Sequence, residues 1–458
     1  MLKRLWLLDG LIKYTVAAIL IGVPLYPKFP LFRISGTFVA IRIEDILLAF
    51  AGFLLLAIFV RKLDKYWKDS ITKTIMLFLI VGFVSLISAI YITHTVVPHI
   101  GLLHWVRRIE YFIPFFLGLE AIERDKKNLA FFSKIIVIVV ALAFIYGFGQ
   151  KYFGWPIIIT QNQEYSKGIA LRYTTGSHIN STFAGHYDLA SFLVLILPIV
   201  VSSFFLLKGL RTKIFLTAGF FSGLWLLVNT ASRISLVSYL VAVVLSLFLI
   251  KRYKAIPLVL VVSVLFIGFS SNLISRYGRI IEVVRTQSLE FNLINYRSLN
   301  RLVYAAEDEF VLKRQIATPT PTLVPVFEDR STNIRLNVEW PRALRAFAKN
   351  PFLGTGYSSI TLATDNDYLR TLGEVGALGF LAFFLIFGKI SVSLVKVLPF
   401  DKHFEGIELA FIVGVVGAMP GIFLNAFFID VFEASKFAIF FWLLIGFTIS
   451  LTKYAKSE

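Results

Sequence analysis

The chain has 458 residues, of which 57% are hydrophobic, 16% aromatic and only 16% charged, with a mean hydropathy of +0.77. A soluble domain carries about 25% charged residues, so a water-soluble globule is excluded, and the lack of cysteine excludes disulfides, thiol nucleophiles and cysteine-held metals. A net charge of +18 would suggest a nucleic-acid partner in a soluble protein, but a membrane protein has another use for it.

A bilayer core needs about 20 apolar residues per helix. On that measure about twelve spans are expected: near 11–27, 44–60, 73–92, 101–121, 129–149 and 187–207, then 213–231, 233–250, 255–271, 369–388, 405–426 and 434–452. The first run has no small-residue cleavage site after it, so no cleavable signal is expected. Alternate connections are basic: Arg61, Lys62, Lys65, Lys68 and Lys73; Arg124, Lys126 and Lys127; Lys208, Arg211 and Lys213; Lys251, Arg252 and Lys254. The positive-inside rule puts these four clusters, and with them both termini, in the cytoplasm. Much of the excess charge is therefore a topology signal, and no nucleic-acid partner is expected.

Two segments break the alternation on the opposite side, 151–185 and the longer 272–368. The expected fold class is an all-α polytopic membrane protein of about twelve helices, with a large helical external loop between spans nine and ten. Its parts would be an N-terminal bundle over 1–271, the loop over 272–368 and C-terminal spans over 369–458. Within the loop, Ala317-Thr-Pro-Thr-Pro-Thr-Leu-Val-Pro325 reads as extended. The stretches 292–312 and 339–349 have helical composition. In the second, Trp340, Leu344, Phe347 and Ala348 are spaced to cover one face, with Pro341 in the first turn.

Several polar residues sit where lipid makes charge expensive. Arg107, Arg108 and Glu110 fall inside the fourth span and should face the bundle interior. Arg107 and Glu110, three apart, can pair, whereas Arg108 has no local partner. His186, with His178, flanks the segment opening span six and reads as an interfacial or substrate-contact residue; two isolated histidines do not make a metal site. Arg233, in the polar break Thr230-Ala-Ser-Arg-Ile-Ser235, is either a snorkelling helix-end arginine or a fork-shaped clamp for a phosphate. Arg335 and Arg342 share a face with Glu339 if one helix runs through them, and basic groups over a membrane mouth suit an anionic head group. Arg345 and Lys349 read as a solvated face. Asp365-Asn-Asp-Tyr368 opens the tenth span: Asp365 and Asp367 are either helix caps or, one of them, a base for a sugar hydroxyl. An Asp-x-Asp metal clamp is set aside, because nucleotide sugars are cytoplasmic and this motif faces out.

Four stretches together resemble the bacterial O-antigen ligase and O-antigen polymerase superfamily. They are Ser181-Thr-Phe-Ala-Gly-His-Tyr-Asp-Leu-Ala190; Ala231-Ser-Arg-Ile-Ser-Leu236; Arg335 with Trp340 and Asn350-Pro-Phe-Leu-Gly-Thr-Gly356; and Asp365-Asn366 followed by Gly376 and Gly379. The resemblance implies an inverting, metal-independent glycosyl transfer with no cofactor. Its donor would be a polyprenyl-diphosphate-linked glycan and its acceptor a glycan or lipid, at the outer face of the cytoplasmic membrane. By the same resemblance Arg233 and Arg335 would hold the diphosphate, and Asp365 would stand where the ligases place a catalytic histidine. Arg342, Arg108, Asn366, Asp367, Tyr368 and His186 complete the expected substrate contacts. The departure at position 365 leaves open a polymerase, or a ligase whose acceptor is not lipid A core. The alternative from another class is a transporter or flippase of lipid-linked oligosaccharide, which should show paired interrupted helices or internal symmetry.

Overall fold

The computed structural model describes residues 2–27, 29, 31–33, 40–158, 173, 174, 176–274, 334–360 and 363–455. Apart from a two-residue antiparallel pairing of β1 (Phe32–Arg33) with β2 (Ala40–Ile41), the regular structure among these residues is helical. The first helices are α1 (Leu2–Leu25), α2 (Ile43–Arg61), α3 (Leu63–Lys68), α4 (Ser70–Tyr91) and α5 (Pro98–Arg124). Next come α6 (Asn128–Tyr152), α7 (His186–Leu206), α8 (Leu210–Asn229), α9 (Arg233–Leu249) and α10 (Ala255–Phe266). The last four are α11 (Trp340–Lys349), α12 (Asp367–Val395), α13 (Gly406–Ala426) and α14 (Ser435–Tyr454).

Nine of the described helices are long and apolar enough to cross a membrane: α1 from Leu8, α2, α4, α6, α7, α8, α12, α13 and α14. The expected count of about twelve is not reached on this measure among the described residues. The other three expected segments are helical, but α5 carries Arg107, Arg108, Glu110, Glu120 and Glu123, and α9 and α10 run only 17 and 12 residues. The Pro/Thr stretch, the expected helix over 292–312 and most of the loop over 272–368 lie outside the described residues.

The core is built around α14 and α7. All of the apolar window of α14 and 83% of that of α7 lie inside the protein, against 33% for α2. A helix apolar on every side belongs in the middle of a bundle. α14 packs on α5, α7 packs on α9 and α13, and α12 packs on α4. One end of the bundle gathers the basic connections: Lys62 pairs with Glu120 at 2.8 Å, Arg124 with Asp9, and Lys453 with Asp69 at 2.9 Å. Asp9 near the start of α1 and Lys453 near the end of α14 thus meet at the same end as the first two clusters.

At the opposite end α12 is broken. Gly376 has φ 66° and ψ −173°, so the helix stops and restarts there. The loop 350–356 supplies the missing partners: Gly356 N–H donates to Glu374 O at 2.7 Å, Thr355 N–H to Gly373 O at 2.9 Å, and Ala377 N–H to Pro351 O at 2.8 Å. Irregular backbone at membrane depth is tolerated only where protein satisfies it. Gly354 (φ 68°) and Gly376 lie backbone to backbone, and a Cβ on Gly376 would sit 2.4 Å from the Phe352 carbonyl. Gly376→Ala combines left-handed strain with that clash, at a cost of about 3 kcal/mol. A lowered thermal midpoint of the detergent-solubilised variant is the expected result; an unchanged midpoint would show that loop and helix separate freely.

The short outer helix departs from its predicted face. Ala343 is its fully buried residue, whereas Leu344 is 49% exposed, and Ala346 and Phe347 are half-buried. The reason is that α11 lies on α12, where Gly373 approaches the Ala343 carbonyl.

Candidate active site

Arg335 and Asp365, 30 residues apart, are brought together at the end of the bundle where α7, α9, α12 and α14 begin. Arg335 opens a π-helical turn (Arg335–Glu339) that runs directly into α11, with Pro341 in its first turn. Arg335 Nε and Nη2 both donate to Asp365 Oδ2, at 3.1 and 2.8 Å, and Nη2 also donates to the Tyr187 hydroxyl at 3.4 Å. Tyr187 follows His186, whose ring lies 4.0 Å from that of Tyr187 and 3.8 Å from that of His178. His186 therefore borders the Arg335 pair through its neighbour.

Asp365 has φ 49°, a left-handed conformation that Asp adopts more readily than most residues. Asp430 holds it there. The Asp430 carboxylate accepts Thr364 N–H at 2.8 Å, Asn366 N–H at 3.0 Å and Arg370 Nη1 at 3.0 Å. The residues on both sides of Asp365 are thus tied to one carboxylate. Burial raises the Asp365 carboxyl above the usual range; Arg335 opposes this and Asp430 adds to it. Across Arg335, burial and then the charge of Asp365 push the Glu339 carboxyl up to about 7, with Asp430 adding to the rise and Arg335 and Arg342 pulling the other way. Glu339 Oε2, Trp340 Nε1 and Arg342 Nη1 are buried without a hydrogen-bond partner among the described residues. Three unsatisfied polar atoms on neighbouring residues are costly unless something polar meets them. Arg342, expected to contact substrate, lies beside Glu339 in this group.

The neighbours of Asp365 in sequence do other work. Asn366, 2% exposed, caps α12 by accepting Leu369 N–H at 2.9 Å and donates to Phe427 O at 3.1 Å. Asp367, 4% exposed, accepts Val431 and Phe432 N–H at 2.6 and 3.1 Å. Through Oδ2 the carboxylate anchors the turn before α14. The Tyr368 hydroxyl donates to Phe423 O at 2.7 Å, which ties α12 to α13. Asn366 and Tyr368 thus brace the start of α12 against α13 and the turn that follows it.

Arg108 lies deeper and lines a small cavity with Asp367, Glu374 and Glu433. It pairs with Glu433 and faces Glu374 at 3.9 Å, while Arg370 pairs with Glu374 at 3.5 Å and approaches Glu433 at 3.8 Å. Removing one partner from such a buried network costs about 3–5 kcal/mol. Arg107 and Glu110 are 4.0 Å apart as the spacing suggested, with Asp45 as a second partner for Arg107 at 3.7 Å. Arg233 is the first residue of α9, half-exposed, after Ser232, whose hydroxyl accepts Ser235 N–H at 3.3 Å. α9 packs along α7, and both begin at this end of the bundle.

Residues 218–384 match the family model described as O-antigen ligase. Over that stretch, a little more than a third of its length, the chain is similar to the O-antigen ligase family. No curated protein matches the chain. The matched stretch contains Arg233, Arg335, Arg342 and Asp365, and three of the four stretches on which the resemblance rests; the segment 181–190 lies before it. The match and the nine long apolar helices together support an integral membrane protein similar to O-antigen ligases. Tyr187, Glu339, Asp430 and Glu433 were missed as part of the site region. For Asp430 and Glu433 a signal existed: two carboxylates in the apolar junction Phe427-Phe-Ile-Asp-Val-Phe-Glu433 between the last two spans.

Proposed function

We propose that the enzyme transfers a glycan from a polyprenyl-diphosphate donor to an acceptor hydroxyl at the outer face of the cytoplasmic membrane, with inversion and without a metal or other cofactor. The observation that carries this reading is the Arg335–Asp365 pair, which lies within the stretch similar to O-antigen ligases and is held by Asp430 beyond it. Arg335 offers a planar fork suited to a phosphate, and Arg233 at the same end of the bundle supplies the second. Asp365 uses only Oδ2 on Arg335, which leaves Oδ1 for the acceptor. The acceptor O–H gives its proton to Asp365, its oxygen bonds to the anomeric carbon, and the bond from that carbon to the diphosphate oxygen breaks. The charge that develops on the departing polyprenyl diphosphate is stabilised by the two guanidinium groups.

Orientation follows the same reading: the basic end of the bundle in the cytoplasm with both termini, the Arg335 end outside. The transporter alternative calls for paired interrupted helices; the break in α12 is one such feature, and its groups are satisfied by the 350–356 loop. The test is transfer by reconstituted protein from an undecaprenyl-diphosphate-linked oligosaccharide, in EDTA. A product ladder means polymerase, and a single addition to a supplied acceptor means ligase. Intact donor that has crossed the bilayer would replace this reading with transport.

Glu339 gives the proposed site a pH dependence. Its ionised form places a negative charge beside Asp365 and makes Asp365 the stronger base, so transfer should rise as pH increases through about 7. Glu339→Gln should remove that inflection, and an unchanged profile would detach Glu339 from the reaction. The sign for stability is opposite. A carboxyl raised in the folded state stabilises most below its ordinary value of 4.5, and that contribution is lost as pH rises through about 7.

A further inference from the structure

At the basic end of the bundle, α6, α7 and α8 enclose a cavity of about 580 Å³ that no part of the proposed transfer uses. Its walls are apolar, with Val137, Val200 and Leu216 inside and Ile138, 46% exposed, at the opening. Three cations converge on it: Lys134, Lys208 and Arg211. α7 runs from His186 at the proposed site to Leu206 beside this cavity, 21 residues, or roughly 30 Å. The two places are therefore separated by about the thickness of a bilayer core.

A positive-inside signal explains basic residues at this end, but not their arrangement. Some cations there pair with carboxylates, Lys62 with Glu120, Lys65 with Glu123, Lys251 with Asp401 and Lys453 with Asp69, while others, such as Arg61, Lys73, Arg252 and Lys254, have no ion pair among the described residues and do not line this cavity. Lys134, Lys208 and Arg211 have no carboxylate partner among the described residues. Lys134 is the most telling, because it lies six residues into α6, roughly 9 Å from the start of that helix, and is exposed. An uncompensated ammonium at that depth needs an anion or a route to the interface. Beside it, Ser133 Oγ is buried, lines the same cavity and has no hydrogen-bond partner among the described residues. An apolar slot with a cationic mouth and a free hydroxyl complements a molecule with a hydrocarbon chain and a phosphate head.

We propose that this cavity binds one anionic phospholipid, its phosphate held by Lys134, Lys208 and Arg211 and an acyl chain lying between α6 and α8. The site is independent of the transfer reaction and stands whether or not that reading does. The test is native mass spectrometry of the detergent-purified full chain with phosphatidylglycerol and, separately, phosphatidylcholine. Wild-type protein should keep one phosphatidylglycerol under conditions that strip phosphatidylcholine. The double variant Lys134→Gln/Arg211→Gln should lose that lipid by about tenfold in apparent affinity. Lys134→Arg should retain it, and Lys251→Gln, which removes a paired cation at the same end, should leave it unchanged. Equal retention of the two lipids, or no loss in the double variant, overturns the proposal. Preferential retention of undecaprenyl phosphate over phosphatidylglycerol also overturns it, because the cavity then belongs to the carrier lipid.

Discussion

Arg335→Ala protein, reconstituted with the lipid-linked donor, is expected to transfer about 10²–10³-fold more slowly than wild type, the range seen when one preorganised group facing a developing oxyanion is removed. Two effects add. The departing diphosphate loses its planar donor, and Asp365 loses the partner that holds Oδ2 at 2.8 Å. Freed of Arg335, the Asp365 carboxyl is raised further by burial and by Asp430. Arg335→Lys keeps the charge but not the fork and should recover only part of the loss. Arg233→Ala should act on the same step without disturbing the Arg335–Asp365 pair. Membrane insertion and thermal midpoint are the controls, since Arg335 is on the outer turn and outside the α14 core. A rate within threefold of wild type for Arg335→Ala would remove it from the reaction.

The second large effect is expected at Asp365. Asp365→Asn should lower turnover by about 10²–10⁴-fold, the usual worth of a positioned acid or base, with donor binding little changed. The substitution is informative because the fold should accept it. Asn tolerates the left-handed backbone almost as well as Asp, and the amides of Thr364 and Asn366 remain tied to Asp430. Turnover and donor affinity are separated by single-turnover transfer and by direct binding of the labelled donor. If affinity falls and turnover does not, Asp365 positions Arg335 and the proton goes elsewhere, with Glu339 the next group to examine. If neither changes, the proposed site is in the wrong place.

What the sequence by itself determined is what depends on local properties. Apolar runs and their basic flanks establish a polytopic helical membrane protein, because helix formation and lipid contact are decided within about 20 residues. Arg335 and Asp365 were legible for a related reason: charge at a membrane surface is conspicuous in an apolar chain. Their direct pairing was not, nor was the hold of Asp430 on the residues flanking Asp365, 64 to 66 positions away along the chain. Arg108 shows the limit most clearly. Without a local partner it read as a substrate contact, but its carboxylate is Glu433, 325 residues on. Asp367 shows the same limit, since the two amides it accepts, those of Val431 and Phe432, lie 64 and 65 residues on. The break at Gly376 was invisible inside an apolar run, because the loop that satisfies it comes from 350–356. Hydropathy places a residue at a depth in the membrane, whereas its partner at that depth is chosen by packing, and packing here joins segments that the sequence keeps far apart.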